Sequence, residues 1–347
     1  MLFFYRPKLF GAVGIALSKT IEGEFLGPGE KTKKFERDLF DLVGVPAVAT
    51  VNGSVALMVA AHALDSRNAN IIVPAYGIVA VPNAFNASGM CVRAVDIDRR
   101  TGCMSKDALY AAIKEGKPHA ICYVDFSGTV GEDANDIRDM CDREGIWIIE
   151  DAACALLNPN ALSIGHIATT SFSPHKLITT GQGGAVFSKN SYLFDRCCNY
   201  IWDGDYARVG KVSQTGINLR LSDINSTIGI VQLEHVSDIL YEKRKQHSLF
   251  YQEAIPLYGE AVATLHNIIF AKEGKREVVL QKLKRECIDA RIQYNVINNH
   301  PLYKHIVGNF ENAQWWHNNA IYLPFGIGQN VTQIIDVLKG VRDELVG

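Results

Sequence analysis

The chain has 347 residues, of which 48% are hydrophobic and 21% are charged, and these proportions are typical of a folded globular protein. Its formal net charge of −2 provides no basic field that would attract nucleic acid. Its eight cysteines include no C-x-x-C pair, so they indicate no zinc ribbon or redox motif and predict a reducing, cytoplasmic compartment. No apolar run approaches the roughly 18 residues of a membrane span. Residues 9–17 are apolar, but no signal-peptide cleavage site follows them.

Short apolar runs alternate with segments of helical spacing along the first 240 residues. We predict strands at residues 47–51, 71–73, 91–95, 120–124, 146–149, 168–172 and 185–187, and helices at residues 31–43, 55–64, 105–113 and 132–144. This alternation is typical of an α/β fold in which helices cover both faces of a mostly parallel sheet.

The pattern changes after residue 240. We predict helices at residues 241–255, 277–290 and 332–345, and a strand at residues 261–270. These elements predict a large α/β domain of residues 1–240 and a small C-terminal α+β domain of residues 241–347. We expect the N-terminal segment to pack on the small domain.

Polar groups follow three of the predicted strands, where parallel sheets bind ligands. They are Asn52-Gly53-Ser54, residues 125–128 and Asp151. Gly53 and Ser54 begin a predicted helix, whose free N–H groups and dipole favour phosphate. Taken singly, Asn-Gly-Ser is also an ordinary helix start, and Asp151 could be a capping or surface carboxylate.

Residues 171–186 hold one lysine between two apolar runs, followed by a cluster of glycines. Lys176 has Pro174 and Leu177 nearby, and a desolvated lysine loses part of its preference for the charged form. A neutral amine is a nucleophile that forms Schiff bases with carbonyl groups. Taken alone, the stretch is also typical of a β-hairpin with a surface lysine beside a glycine-rich turn.

The same groups taken together favour a cofactor site. Gly53 and Ser54 would bind a phosphate, Ser171 would add a hydroxyl donor, and Asp151 and Lys176 would supply a buried carboxylate and an amine. Pyridoxal 5′-phosphate requires this set, because its carbonyl binds a lysine and its ring nitrogen is kept protonated by a carboxylate. We predict no metal site, because the carboxylate pairs at residues 96 and 98 and at residues 203 and 205 lack further ligands.

The sequence resembles, almost from end to end, the DegT/DnrJ/StrS family of pyridoxal-phosphate-dependent nucleotide-sugar aminotransferases. The matching segments are Phe25-Leu26-Gly27-Pro28-Gly29, Asn52-Gly53-Ser54-Val55-Ala56-Leu57, Val73-Pro74-Ala75-Tyr76, Val95-Asp96-Ile97-Asp98, Glu150-Asp151-Ala152-Ala153, Ser171-Phe172 with Lys176 and Gly181-Gln182-Gly183-Gly184, and residues 216–233. The resemblance implies the aspartate-aminotransferase fold, known as fold type I, with a mostly parallel seven-stranded sheet between helices and a smaller C-terminal domain.

The resemblance also implies a reaction and an assembly. The reaction is transfer of an amino group, from L-glutamate, to a keto carbon of a nucleotide-linked deoxysugar. Lys176 would both bind the cofactor and move a proton, and a lysine here argues against the dehydratase branch, which has histidine. The assembly is a homodimer with active sites at its interface, in which Asn218 serves the partner's cofactor.

Four positions depart from the family's pattern. Ile78 stands where the family has an aromatic residue stacked on the cofactor ring. Cys154 stands where it has Gln, Glu or His near the cofactor's 3′-oxygen. Gln182 replaces a glutamate in the glycine run, and Asn298 replaces a histidine before Pro301-Leu302-Tyr303. The lysine and aspartate are retained, so the departures concern cofactor affinity and substrate contacts.

The candidate substrate contacts are Tyr76, Arg208, Lys211, Arg220 and Asn298. Arg208 and Lys211 lie in a polar loop. They either bind the diphosphate of a substrate, across the dimer interface, or are solvated charges. Two other functions stay open: another enzyme of this fold that acts on a free amino acid, and a non-catalytic regulatory homologue. UDP, GDP and dTDP all remain candidate nucleotides.

Overall fold

The computed structural model describes residues 1–5, 7–258 and 265–346. The strands in these ranges are β1 (Ala47–Thr50), β2 (Asn70–Pro74), β3 (Tyr76–Gly77), β4 (Cys91–Val95), β5 (Ala120–Val124), β6 (Trp147–Asp151), β7 (Ile167–Ser171), β8 (Gly184–Phe187), β9 (Asn267–Phe270), β10 (Asn295–Val296) and β11 (Ala320–Leu323). The α-helices are α1 (Ala12–Glu22), α2 (Glu30–Val43), α3 (Gly53–Ala63), α4 (Ala80–Ala87), α5 (Lys106–Glu115), α6 (Ala134–Glu144), α7 (Ser191–Ile201), α8 (Asp223–Glu234), α9 (Val236–Gln252), α10 (Arg276–Arg285), α11 (Glu311–Asn319) and α12 (Val331–Lys339).

Seven strands form the central sheet in the order β1-β8-β7-β6-β5-β2-β4. The strands from β7 to β4 pair in parallel, whereas β8 pairs antiparallel with both β7 and β1. The prediction of a mostly parallel α/β sheet is confirmed. Because parallel strands share one carboxyl edge, β5 and β6 bring residues 125 and 151 side by side, and the backbone N–H of Asp125 donates to the carbonyl of Asp151 at 3.1 Å.

Hydrophobic clusters cover both faces of the sheet. Val48 of β1 and Val186 of β8 belong to one cluster, whereas their neighbours Ala49 and Ala185 belong to another. Successive side chains of a strand point to opposite faces, so the two clusters lie on opposite faces at β1 and β8, whereas at β2, β5 and β6 the first cluster includes residues of both faces. This two-sided burial explains why the strands read as continuous apolar runs.

The helices begin and end at signals that the sequence carries. The side chain of Ser105 accepts a hydrogen bond from the N–H of Ala108 and so caps α5, as predicted. Gly44 and Gly145 end α2 and α6 in the left-handed region, with φ of 69° and 62°. Among the described residues, no helix is both long and apolar enough to cross a membrane.

The C-terminal part of the chain builds a third cluster around the pair β9 and β11, with residues from α10 and α12. The N-terminal segment joins it, since Leu2 forms a β-bridge with Ile288 and the N–H of Phe4 donates to Asp289. Helix α9 passes through residue 240, with Ile239 in a cluster of the sheet and Phe250 in the third cluster. A division at residues 240 and 241 stays a prediction.

Three predicted helices have the wrong bounds. The helix predicted at 241–255 is α9, which begins at Val236 and ends before Ala254 takes a left-handed φ of 49°. The helix predicted at 277–290 is the shorter α10, because Cys287 has a φ of 58°. The helix predicted at 332–345 is α12, which stops before Gly340. The strand predicted at 261–270 is β9 (Asn267–Phe270), and residues 261–264 lie outside the described residues.

Candidate active site

Lys176 lies in the connection between β7 and β8. The antiparallel pairing of Ser171 with Gly184 closes the base of this hairpin. Lys176 is half-buried, its carbonyl accepts a hydrogen bond from the hydroxyl of Tyr5 at 2.6 Å, and its Nζ donates to Sγ of Cys154 at 3.1 Å. The hairpin interpretation is therefore correct for the backbone, and the amine nevertheless turns inward to a cysteine.

Asp151 ends strand β6 and is only 5% exposed. Its Oδ1 accepts a hydrogen bond from the N–H of Ala153 at 2.9 Å. Burial raises the pKa of the Asp151 carboxyl, and the nearby charge of Lys176 opposes this shift. The charge of Lys176 thus favours the ionised form of Asp151, which is the form that would suit a positively charged ring nitrogen.

A cleft connects these side chains. Five of the candidate cofactor and substrate residues line its walls or floor: Tyr76, Ile78, Asp151, Cys154 and Lys176. Cys154 and Lys176 also line a second, smaller cleft that reaches Ser171.

Gly53 and Ser171 are in direct contact at the start of α3. Asn52 caps this helix, since its Oδ1 accepts from the N–H of Val55 at 2.9 Å. A Cβ atom added to Gly53 would lie 2.6 Å from Cβ of Ser171, so only glycine allows the helix start to approach the hairpin this closely. The predicted phosphate donors Gly53 and Ser171 are thus brought together, while Ser54 is exposed at the first turn.

Tyr76 and Ile78, which lie two residues apart in the cleft wall, differ in burial. Tyr76 is 1% exposed, and its hydroxyl lies 3.1 Å from that of Tyr322. Ile78 is 48% exposed at the mouth of the cleft. Tyr76 is therefore part of the supporting wall, and Ile78 supplies an aliphatic surface where the family has a ring.

Asn218, Arg220, Arg208 and Lys211 do not line the cleft. Arg220 donates to Oδ1 of Asn218 at 2.8 Å and forms an ion pair of 3.1 Å with Asp203. The exposed Arg208 lies with its guanidinium 4.2 Å from the ring of Trp202, and Lys211 is exposed. Within the described chain, these residues form a surface loop, and their predicted roles stay untested.

Asn218 and Arg220 nevertheless lie next to the phosphate end of the site. Arg220 forms a β-bridge with Thr50 at the end of β1, and the N–H of Val51 donates to the carbonyl of Leu219 at 3.0 Å. Thr50 and Val51 lead directly to the capped start of α3. The segment 218–220 is thus held against the strand that leads into the predicted phosphate site.

The C-terminal part supplies cleft residues that the sequence did not identify. Tyr294, Asn295, Ile297 and His300 line the cleft, whereas Asn298, between two of them, does not. These C-terminal residues lie in the cleft because β10 pairs with β3, with Val296 opposite Tyr76. A two-residue strand carries no periodic signal, so the sequence pattern could not have found this contact.

These residues fit pyridoxal 5′-phosphate. The start of helix α3 lies against Ser171, where helix N–H groups and a serine hydroxyl can together bind a phosphate. Asp151 is a buried carboxylate at a strand end, and Lys176 lines the same cleft as Asp151. The three groups come from α3, β6 and the β7–β8 hairpin, which meet at one edge of the sheet. The fold and site are those of a lysine-dependent pyridoxal phosphate enzyme.

Comparisons with known proteins give the family. The sequence model of the DegT/DnrJ/EryC1/StrS aminotransferase family matches residues 15–342, and the chain belongs to this family. It is a pyridoxal-phosphate-dependent aminotransferase. The resemblance found in the sequence motifs is confirmed.

Two curated relatives and one solved structure illustrate the likeness. The GDP-perosamine synthase of Vibrio cholerae is 26% identical over 366 residues, covering 99% of each chain. The UDP-4-amino-4,6-dideoxy-N-acetyl-beta-L-altrosamine transaminase of Campylobacter jejuni (strain 81-176) is 27% identical over 340 residues, covering 89% of this chain and 88% of its own. The structure of a DegT DnrJ EryC1 StrS aminotransferase from Brucella abortus superposes with a TM-score of 0.87 at 26% identity, covering 95% of both chains.

Proposed function

We propose that the protein transfers an amino group from L-glutamate to a keto carbon of a nucleotide-linked deoxysugar. The observation that carries the proposal is the Lys176–Asp151 pair in one cleft of a chain matched by the family over residues 15–342. The relatives from Vibrio and Campylobacter are named for GDP-linked and UDP-linked sugars, which supports a nucleotide sugar as the acceptor.

Each residue would have a defined task in this reaction. The cofactor, when bound, supplies an electron sink that stabilises negative charge on the substrate carbon. Gly53 and Ser171 would bind its phosphate, and Asp151 would hold a proton on the ring nitrogen. Lys176 would hold the cofactor's carbonyl carbon and, once the amine of the incoming substrate had displaced it, its free Nζ would move a proton between the substrate carbon and the cofactor.

Cys154 keeps the lysine in place before the cofactor binds. Its Sγ accepts from Nζ of Lys176 at 3.1 Å, so the amine is held inside the cleft. Val79 and Val81 add apolar surface to the same cleft. Proton transfer at Nζ would then take place beside apolar side chains, where electrostatic interactions are stronger than in bulk water.

The active form in this proposal is a cytoplasmic homodimer with shared sites. The support is the position of Asn218, which is exposed yet lies against the strand that leads to the phosphate site. The charged loop with Arg208, Lys211 and Arg220 would then face the partner's cleft and its substrate's diphosphate. Tyr76 is assigned to the wall around the sugar, whereas Asn298, which does not line the cleft, stays a candidate contact only.

Absorbance spectroscopy tests the amino donor. We expect the purified protein to show the band of a lysine-bound cofactor, and L-glutamate without an acceptor to replace it with the band of the aminated cofactor. Keto sugars linked to GDP, UDP or dTDP should then restore the first band, and mass spectrometry should find the aminated sugar. A band that responds only to other amino acids would instead support an enzyme acting on free amino acids. Failure to bind the cofactor at all would support the regulatory alternative.

A further inference from the structure

Asp125 is a buried carboxyl group that the reaction described above does not use. It follows strand β5, is 0% exposed and belongs to the wall of the active-site cleft. Among the described residues, no N–H or O–H group donates a hydrogen bond to either of its side-chain oxygens. An ionised carboxylate without a hydrogen-bond donor is very costly to bury, so the burial of the Asp125 carboxyl has to be explained in another way.

The neighbours of Asp125 make the ionised form still less favourable. The carboxyl of Glu150 interacts directly with that of Asp125, and the charge of Asp151, the next residue of β6, also acts on it. The other titratable groups that face Asp125 are Cys103, Cys122 and Tyr123. These thiol and phenol groups are neutral or negative, so none of them supplies a positive charge. The described residues also contain no cluster that could hold a metal ion.

Glu150 is the better site for the negative charge. Its Oε1 accepts from the N–H of Leu162 at 2.6 Å, and its Oε2 accepts from the N–H groups of Ile164 and Gly165 at 3.1 Å and 2.7 Å. Three backbone donors stabilise a carboxylate strongly. Two carboxyl groups in contact can form a hydrogen bond only when one of them carries a proton, and the donors on Glu150 leave that proton to Asp125.

We propose that Asp125 is a neutral carboxylic acid in the folded enzyme at neutral pH and donates its proton to Glu150. Asp125 is then a positioning residue. Its O–H group joins the end of β5 to Glu150, which in turn fixes the loop at residues 162–165. Its neutrality leaves Asp151, whose ionised form is favoured by the charge of Lys176, as the anionic carboxylate on the floor of the cleft. Burial raises the pKa of both Asp125 and Glu150, in agreement with one shared proton.

The pH dependence of folding tests this assignment without substrate or cofactor. An unfolded aspartate loses its proton near pH 3.9, so folding at higher pH would take up one proton at Asp125. The stabilising contribution is complete below that pH and declines as the pH rises toward the higher folded pKa. We therefore expect the ratio of folding equilibrium constants, wild type over Asp125→Asn, to fall about tenfold per pH unit between about pH 5 and pH 7.

The matched control is Asp139→Asn, on the exposed face of α6. Its ratio should stay constant over the same range, because the side chain of Asp139 is exposed and folding does not remove it from water. All three full-length proteins are unfolded in urea at one protein concentration. A constant ratio for Asp125→Asn would overturn the proposal, since it would mean that Asp125 binds no extra proton on folding.

Infrared spectroscopy of the wild type supplies a second measurement if the variant does not fold. Protein labelled with carbon-13 at the aspartate carboxyls should show, at neutral pH, a label-sensitive carbonyl band of a protonated acid. Asp125→Asn, or the smaller Asp125→Ser, should remove it. The absence of such a band overturns the proposal, as does a band that survives both variants. A band that responds only to glutamate labelling would place the proton on Glu150 and also overturn it.

Discussion

The cofactor end of the cleft and the loop at residues 202–220 differ in how their charges are held. At the cofactor end, Asp151 and Lys176 come from the sheet edge and its hairpin, and each has a partner inside the chain. In the loop, Arg208 and Arg220 lie against the exposed side of Trp202, with ring distances of 4.2 Å and 4.8 Å. Both charged groups of the first region are hydrogen-bonded within one chain, whereas Arg208 and Lys211 of the second region are exposed.

This contrast distinguishes the groups that we expect to carry out the reaction from those that we expect to recognise the substrate. Buried groups on strand ends are fixed by the packing of the sheet, so their geometry is already defined before a ligand binds. Exposed loop cations gain little from contacts with each other and bind most strongly when a partner excludes water from them. The substitutions that follow address first the buried region and then its connection to the loop.

Replacement of Lys176 by alanine should have the largest effect. It removes both the amine that binds the cofactor and the group that moves the proton, so we expect amino transfer to fall by more than about 10⁴-fold. The band of the lysine-bound cofactor should disappear while the far-ultraviolet circular dichroism stays unchanged. Lys189→Ala, an exposed lysine after β8, is the control. Retained turnover in Lys176→Ala would refute the role of the lysine.

Asp151→Asn should have the next largest effect. The amide keeps the size of the side chain but cannot hold the ring nitrogen's proton by its charge, and we expect kcat to fall about 10³-fold. Cofactor should still bind through Lys176, so the absorbance band should remain while its response to L-glutamate slows. Stopped-flow absorbance measures that rate. An unchanged rate would show that the carboxylate charge is not used.

Gly53→Ala tests the close contact between the helix start and the hairpin. The added Cβ would lie 2.6 Å from Cβ of Ser171, and relieving that overlap should lower the free energy of unfolding by about 1–3 kcal/mol. We also expect weaker cofactor binding, because the phosphate donors must separate. Gly14→Ala is the control, since its Cβ meets no atom within 4 Å, and it should stabilise helix α1 by about 0.5–1 kcal/mol. Urea unfolding measures both values, and equal effects would contradict the contact.

The sequence predicted the cofactor end well because its signals are local. Strands β4 and β5 have the predicted bounds, and each is followed directly by an aspartate. Asp151 was identified at a strand end, and Lys176 by its apolar neighbours and the glycine cluster that follows it. Tyr294 and His300 were missed because a short tertiary pairing, β10 with β3, carries them into the cleft. Tyr5, which binds the carbonyl of Lys176 from 171 residues away, had no local signal either.

The same reasoning explains the errors in the C-terminal part. Helices α9, α10 and α12 keep their predicted type, but tertiary contacts set where they stop. The bridge between Leu2 and Ile288, for example, uses residues that the apolar spacing assigned to a longer α10. Helical periodicity identifies an amphipathic face, and it continues past the point where the backbone turns away.

Asn218→Ala tests whether the loop completes a partner's site. Loss of one hydrogen bond to a phosphate should weaken cofactor binding about tenfold. In the proposed homodimer, Asn218 of one subunit serves the cleft of the other. A heterodimer of one Lys176→Ala subunit and one Asn218→Ala subunit would then contain one intact site, with its lysine from the second chain and its asparagine from the first.

We therefore expect this heterodimer, purified through two different tags, to recover about half of the wild-type activity per dimer at limiting cofactor. The matched control pairs Lys176→Ala with Asp151→Asn. Both of those residues lie in the cleft of a single chain, so neither of its sites is intact and activity should stay near zero. If Asn218 acts only within its own chain, the first heterodimer will bind cofactor as weakly as Asn218→Ala. The loop would then be a surface feature that is independent of the partner's cleft.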